Sequence, residues 1–505
     1  MKILSIFWFI AVFVFLALIS CAELPCPKGY LAGNEDQLYP SCKNEEKLIN
    51  NKTLWMLALV GSAANNQSNI SMQWARLYGG AKKVYLGVDL VTDKSDNIYT
   101  TGYYFEGYDS SNSGSFVTKH DTDGNKTWDV TYTKTTANAI ALDNQKNVYI
   151  VGDATSTVDG NSCYNLASRG CLFLAKYDNA GNRQWTKTFY GKNYSTKATT
   201  NGKDIAIDSS DNVYVLGYTD GYISGQSNPD DNQGVLLLKY DTSGNQQWGK
   251  LLLPENPTGE SYSYASTNSI LIEGNGNIYA AGFTDGHLGG QKLTGTTDTF
   301  IIKYNNNGDI QWTKLIGESG SETLGAYIAL DSQNNLYVAG NYKASYYSAS
   351  FMGEYCYAIV SGSKISQSSC DYIIKYDSNM NRKWVRLLAS TDNIGINGMA
   401  IDKLDNIYLI GTAQYSIDNY ESLDEVSGLL MKYNSNGERQ WYELFSSKNT
   451  NTGGRGITIS SDNSLYGTGN TGYDINQIYS NNYPTIDFYG QTFTGLRDAF
   501  IVKYK

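Results

Sequence analysis

From residue 73 onward, short apolar runs alternate with clusters of Asp, Asn, Gly and Ser. One cycle reads DIAIDSSDNVYVLG (204–217) and then LLLKYDTSGNQQW (236–248); another reads SILIEGNGNIYAAG (269–282) and then FIIKYNNNGDIQW (300–312). The runs are rich in β-branched and aromatic residues and are bounded by turn formers, which predicts strands. They are nearly continuously apolar and do not alternate cleanly, as expected of sheets covered on both faces. We label the four strands of a cycle a (IAID), b (NVYVLG), c (LLLKYD) and d (the QW strand).

Four landmarks mark each cycle. An acid ends strand a at Asp93, Asp143, Asp208, Glu273, Asp331 and Asp402, with Ser460 in the seventh copy. Strand b carries Tyr99, Tyr149, Tyr214, Tyr279, Tyr337, Tyr408 and Tyr466, each followed three residues later by Gly102, Gly152, Gly217, Gly282, Gly340, Gly411 and Gly469. Strand c carries Lys119, Lys176, Lys239, Lys303, Lys375, Lys432 and Lys503, and strand d carries Trp74, Trp128, Trp185, Trp248, Trp312, Trp384 and Trp441. Four strands repeated seven times at roughly 60 residues predict an all-β fold, a seven-bladed β-propeller of four-stranded antiparallel blades. The first landmark is an isolated d strand with Trp74, and the chain ends on strand c at Lys503. The last blade is therefore expected to borrow its outer strand from the N-terminal side, which removes an exposed edge. The alternative makes d the inner strand of the following blade and needs no such closure.

Spacing separates the two ends of each blade. The acid-to-Tyr distance is always six residues, and Lys-to-Trp is nine wherever both lie in one run. Gly-to-Lys runs 17, 24, 22, 21, 35, 21 and 34 residues, and Trp-to-acid runs from 15 to 25. All length variation thus falls in the b–c and d–a connections, which share one face, and loops that vary are where binding is expected. The longest insertions are rich in Tyr: Tyr342, Tyr346, Tyr347, Tyr355 and Tyr357 in 341–371, and Tyr473, Tyr479, Tyr483 and Tyr489 in 470–497. Tyr gives large contact area with a polar tip, so these are candidate partner-binding residues; the competing use is to cover the loops' own small cores.

These cycles resemble the SBBP-type β-propeller repeat, most closely at GYTDG (217–221) and GFTDGHLGGQKLTGTTDTFIIKYNNNGDIQWTKLIG (282–317). The resemblance implies the propeller fold over about 430 residues and little about function, because propellers host many activities. YDTSGNQQW (240–248) also echoes the outer hairpin of quinoprotein-type propeller repeats.

Composition narrows the functional classes. Lys and Arg number 39 against 49 Asp and Glu, for a net charge of −10, so nucleic acid is not an expected partner. With two His residues, chemistry built on several histidines is excluded. His120 stands where six copies have Tyr and reads as a packing variant. His287, in a b–c loop with Asp285 nearby, is the one candidate catalytic or contact His, but no Ser or Cys motif marks a nucleophile. The acids closing strand a could form a partial ring of oxygen ligands for a cation, or each could shape its own turn. HDTDGN (120–125) has a faint calcium-loop pattern but lacks the Glu at the twelfth position of that motif. No catalytic residue, cofactor or metal is assigned.

The N-terminus supplies an address. Met1-Lys2 precede an apolar run to Ile19, and the run ends Leu18-Ile19-Ser20-Cys21. This resembles the export signal and lipobox of bacterial lipoproteins. The resemblance implies a signal peptide over 1–20, cleavage after Ser20 and an acylated Cys21 as membrane anchor; an uncleaved anchor is the alternative. Residues 21–72 read as a polar tether and 73–505 as the propeller. The other six cysteines form three close pairs, Cys26/Cys42, Cys163/Cys171 and Cys356/Cys370, coherent with local disulfides in an exported chain. The expected protein is a monomeric, non-catalytic, lipid-anchored propeller of the outer membrane, facing the periplasm or the cell surface, that binds protein or glycan partners through its loop face. The rival expectations are a periplasmic scaffold for outer-membrane assembly and a glycan- or peptide-cleaving enzyme on the same face.

Overall fold

The chain divides into two units, Met1–Gln67 and Ser68–Lys505. The computed structural model describes residues 70–505 except 107–108, 164–169, 193–197, 258, 260–261, 345–349, 361–362, 368, 390–393, 418–419, 447–449, 474–486 and 494. The signal segment, the tether, Cys21, Cys26, Cys42, Tyr346, Tyr347, Tyr479 and Tyr483 lie outside the described residues.

Among the described residues the structure is all β, without a helix. Antiparallel a–b–c–d sheets recur along the chain. The third unit, for example, pairs Thr200–Ile207, Val213–Thr219, Gly234–Tyr240 and Gln246–Leu252 in that order. The fourth pairs Ala265–Ile272, Ile278–Thr284, Asp298–Tyr304 and Ile310–Ile316. The last set is split in sequence. Strands Asn451–Ile459, Leu465–Gly472 and Arg497–Tyr504 are joined by Met72–Tyr78, which pairs antiparallel with Arg497–Tyr504 from Met72↔Tyr504 to Tyr78↔Ala499. That N-terminal strand begins one residue before the boundary expected from the sequence.

Strands b and c are the most buried. In Val213–Thr219 and Ile278–Thr284 the first five residues are all buried, which accounts for the missing alternation. The core lies between the faces of neighbouring sheets. Tyr149 and Val151 of the second unit pack with Ile205 and Val213 of the third; Tyr214 and Leu216 of the third pack with Ile270 and Ile278 of the fourth. The split unit packs against the first in the same way, with Tyr466 and Ile501 beside Leu90 and Ile98.

Candidate functional site

The landmark residues form one cassette at the turn face. In the first unit Asp93 Oδ1 accepts the N–H groups of Ser95 (2.8 Å) and Asn97 (3.1 Å), and Oδ2 accepts Asn97 Nδ2 (2.9 Å). The third residue after the acid adopts positive φ, as at Asp96 (59°) and Asp211 (64°), a conformation Asp and Asn tolerate. Although burial disfavours its ionised form, hydrogen bonds from Asn97, Lys146 and Ser95 hold Asp93 below the usual carboxylate range. Three of the strand-c lysines pair with these acids: Lys303–Glu273 and Lys375–Asp331, both at 3.2 Å, and Lys176–Asp143 at 3.5 Å. All seven strand-c lysines sit 4.7–5.2 Å from the centroid of their unit's Tyr ring. The strand-d Trp packs against the same Tyr, with centroids 5.8–6.2 Å apart in all seven sets. The acid oxygens are therefore engaged by their own turns, and in those three units by lysines as well, which favours the turn-shaping use over the cation ring. HDTDGN is capped likewise, with Asn125 N donating to Asp121 Oδ1 at 2.8 Å. Among the described residues no group of three or more His, Cys, Asp or Glu is placed to hold a metal ion.

The landmark glycines lead to a feature the sequence reading missed. A Cβ on Gly102, Gly152, Gly217, Gly282, Gly340, Gly411 or Gly469 would strike a carbonyl oxygen of the adjoining strand a: that of Leu86, Thr136, Asn201, Ser266, Gly325, Gly395 or Gly453. Those carbonyls turn inward because strand a carries a β-bulge beside each glycine. A bulge re-aims a side chain. The residues it frees, among them Asn138, Lys203, Asn268, Asn397 and Arg455, line a central cavity of about 280 Å³ to which strand a of every unit contributes. The fifth unit departs from the others: its register shift spans Leu324 to Tyr327, with Gly325 at φ 67°, and Tyr327 joins the cavity wall.

The cavity mixes charges. Asp89 accepts the N–H of Leu90 (2.8 Å) and of Ile140 in the next unit (3.0 Å). Asp204 repeats this with Ile205 (2.8 Å) and Ile270 (2.7 Å), so both carboxylates latch neighbouring inner strands. Burial pushes Asp89 up to about 6 despite those two bonds. Burial and then the nearby Asp89 charge push Asp204 up to about 8. Lys203 lies 4.0 Å from Asp153 and over the Tyr218 ring at 5.3 Å. Burial raises Tyr327 to about 12, although the Arg455 charge opposes this.

On the loop face the candidate tyrosines divide. Tyr342 is 2% exposed, stacks on buried Phe351 at 4.7 Å and donates its hydroxyl to Ser350 O at 3.1 Å. Tyr473 is 7% exposed and packs against Phe493. Both cover their loops' own cores, the competing use that the sequence left open for them. Tyr355 (54%), Tyr357 (38%) and Tyr489 (46%) are exposed, and Tyr262 of a d–a loop (52%) joins them. His287 Nδ1 accepts the Leu293 N–H at 3.0 Å, while Asp285 Oδ1 accepts the Tyr264 N–H at 2.7 Å, so the two are committed to separate loop contacts. Disulfides join Cys163 to Cys171 and Cys356 to Cys370, with Cα atoms 5.3 and 6.1 Å apart, each within one b–c connection.

Repeated four-stranded sheets, packed face to face with their first strands around one cavity, define a β-propeller-type repeat protein. The model of the SBBP β-propeller repeat matches residues 190–223 and 311–341, each stretch running through strands a and b of one unit, so repeats of that kind are present there. An uncharacterized WD repeat-containing protein of Acanthamoeba polyphaga mimivirus is 22% identical over 78% of this chain and 36% of its own length. The regulatory protein FlaEY of Caulobacter vibrioides is 30% identical over 32% of this chain and 17% of its own length. The chain thus spans about a third or less of the length of these curated relatives. Among solved structures, a PL25 ulvan lyase superposes with a TM-score of 0.45 at 12% identity, covering 78% of this chain and 93% of that one.

Proposed function

We propose that the protein is a non-catalytic, lipid-anchored β-propeller of seven blades that binds protein or glycan partners outside the cytoplasm through its b–c and d–a loop face. The observation that carries this reading is the distribution of exposed tyrosines. All those exposed among the described residues, Tyr262, Tyr355, Tyr357 and Tyr489, lie in b–c or d–a connections. Amphipathic rings of low conformational entropy, held on a rigid scaffold, suit recognition. Closure of the ring by Met72–Tyr78 supports the seven-blade reading, since it supplies the outer strand that the last unit lacks. The Leu-Ile-Ser-Cys21 sequence supports the anchor, and the two loop disulfides are in keeping with an oxidising compartment.

The test is crosslinking on intact cells with the wild type and with the fourfold Tyr→Ala variant at 262, 355, 357 and 489. Ile310→Ser with Leu404→Ser serves as the control, because these two exposed side chains lie outside the b–c and d–a connections. Loss of the crosslinked partner in the fourfold variant alone supports the loop face. Retention there, or equal loss in the control, refutes it.

A further inference from the structure

The central cavity has a chemistry of its own, independent of the loop-face tyrosines. Arg455 leaves the sheet at the bulge of its strand and lines the cavity. Its guanidinium makes no hydrogen bond or ion pair with any described residue, so five N–H donors are free to face a ligand. On another side of the cavity, contributed by the fourth unit, the Thr267 hydroxyl and the Asn268 side-chain carbonyl oxygen are buried and have no partner. Thr267 is only 2% exposed. Buried polar atoms without a partner are costly and call for a donor or acceptor from outside the chain.

The two carboxylates in the cavity do not fill that need. Asp89 and Asp204 already accept backbone N–H groups from two strands each, and burial moves both toward their neutral forms. Asp204, raised to about 8, is mostly neutral at neutral pH and repels an anion little, whereas Asp89, raised to about 6, stays largely ionised there. What remains is a cationic fork on one side and, on another, an amide oxygen and a hydroxyl that seek hydrogen bonds. A bare inorganic anion meets only the first, because Asn268 Oδ1 needs a donor. A neutral polyol meets only the second. A volume near 280 Å³ lies at the small end of ligand sites.

We propose that the central cavity binds a small hydroxylated carboxylate, a hydroxy acid or sugar acid, with its carboxylate on Arg455 and its hydroxyls on Asn268 and Thr267.

Gluconate, sorbitol and propionate separate the parts: gluconate carries both features, sorbitol only the hydroxyls, propionate only the charge. Isothermal titration of the full chain in detergent should show gluconate binding, with sorbitol and propionate each at least about tenfold weaker. Arg455→Ala should weaken gluconate at least about tenfold and leave sorbitol unchanged. Asn268→Ala should weaken gluconate and sorbitol together. Arg455 is solvent-accessible, so its variant should keep the wild-type melting temperature, and that measurement guards against misfolding. Three results overturn the proposal: no gluconate binding up to about 10 mM, sorbitol or propionate binding as tightly as gluconate, or gluconate affinity unchanged in Arg455→Ala.

Discussion

Replacing Trp74 by Ala tests whether the N-terminal strand is a structural part of the ring. Its ring lies 6.0 Å from that of Tyr466, with the Arg76 guanidinium 5.1 Å from its centroid. It also abuts Gly124 in the first unit's c–d turn, where an added Cβ would come within 2.9 Å of the indole. Trp185 repeats that geometry inside the continuous chain, 5.8 Å from Tyr149 and against Gly244. Truncating a buried Trp costs about 3–5 kcal/mol. Trp74 is half-buried, so about 2–3 kcal/mol is expected. At about 2.1 cal/mol/K per residue, a unit the size of Ser68–Lys505 has an unfolding entropy near 0.9 kcal/mol/K, so Tm should fall by about 2–3 °C. Urea titration resolves this more clearly, as a shift in midpoint at unchanged slope. Trp185→Ala should match it. Removing residues 22–79 should cost far more and expose the edge of Arg497–Tyr504 to self-association, whereas removing 22–65 spares the strand. The closure argument fails if Trp74→Ala unfolds like the wild type while Trp185→Ala is destabilised, or if both truncations melt with the intact chain.

Gly282→Ala should destabilise by about 1–3 kcal/mol or more, because its Cβ would meet Ser266 O and the Thr267 Cα; Gly274→Ala, with open space around it, should be near neutral by the same urea titration. His120 is buried, and burial followed by the Lys126 charge lowers it to about 4. A folded pKa below the unfolded one means that stability is full above about 6.5 and is lost as pH falls from there toward 4. The slope should approach 1.4 kcal/mol per pH unit, and His120→Tyr, the residue of the other six copies, should abolish it in urea titrations between pH 4 and 7. Cys21→Ser should move the protein from the membrane to the soluble fraction on cell fractionation; a variant that stays with the membrane refutes the lipobox reading.

The sequence revealed what recurs and hid what varies. Tyr, Lys and Trp recur because they make the same ring contacts in every unit, and the closing acid recurs in six, with Ser460 in the seventh, so their spacing exposed the strands and the split last sheet. The bulge residues occupy one position with mixed types: Asn at Asn138, Asn268 and Asn397, but Val88, Lys203 and Arg455 elsewhere. No type recurs in every unit, because these side chains face a cavity and not a neighbouring strand. The available signal was the landmark glycine, whose missing side chain makes room for a carbonyl of the bulged strand. The loop tyrosines failed differently. Counting them could not tell Tyr342 and Tyr473, which close loop cores, from Tyr355 and Tyr489, which stand in solvent.

These two kinds of position also differ in what they leave free to vary. At the turn face nearly every polar atom of the cassette is engaged, from Asp208 with Ser210 and Asn212 to Lys375 with Asp331. Changing one member strands the others, so the spacing there stays fixed at six and nine residues. The b–c and d–a connections carry no such shared network and can lengthen, acquire a disulfide or present a ring without disturbing the sheets. The bulge ring is a third case: its backbone is fixed by the glycine contact, yet its side chain is free to change. A repeat protein can therefore vary its cavity lining and its loops, while the fold rests on residues that take part in neither.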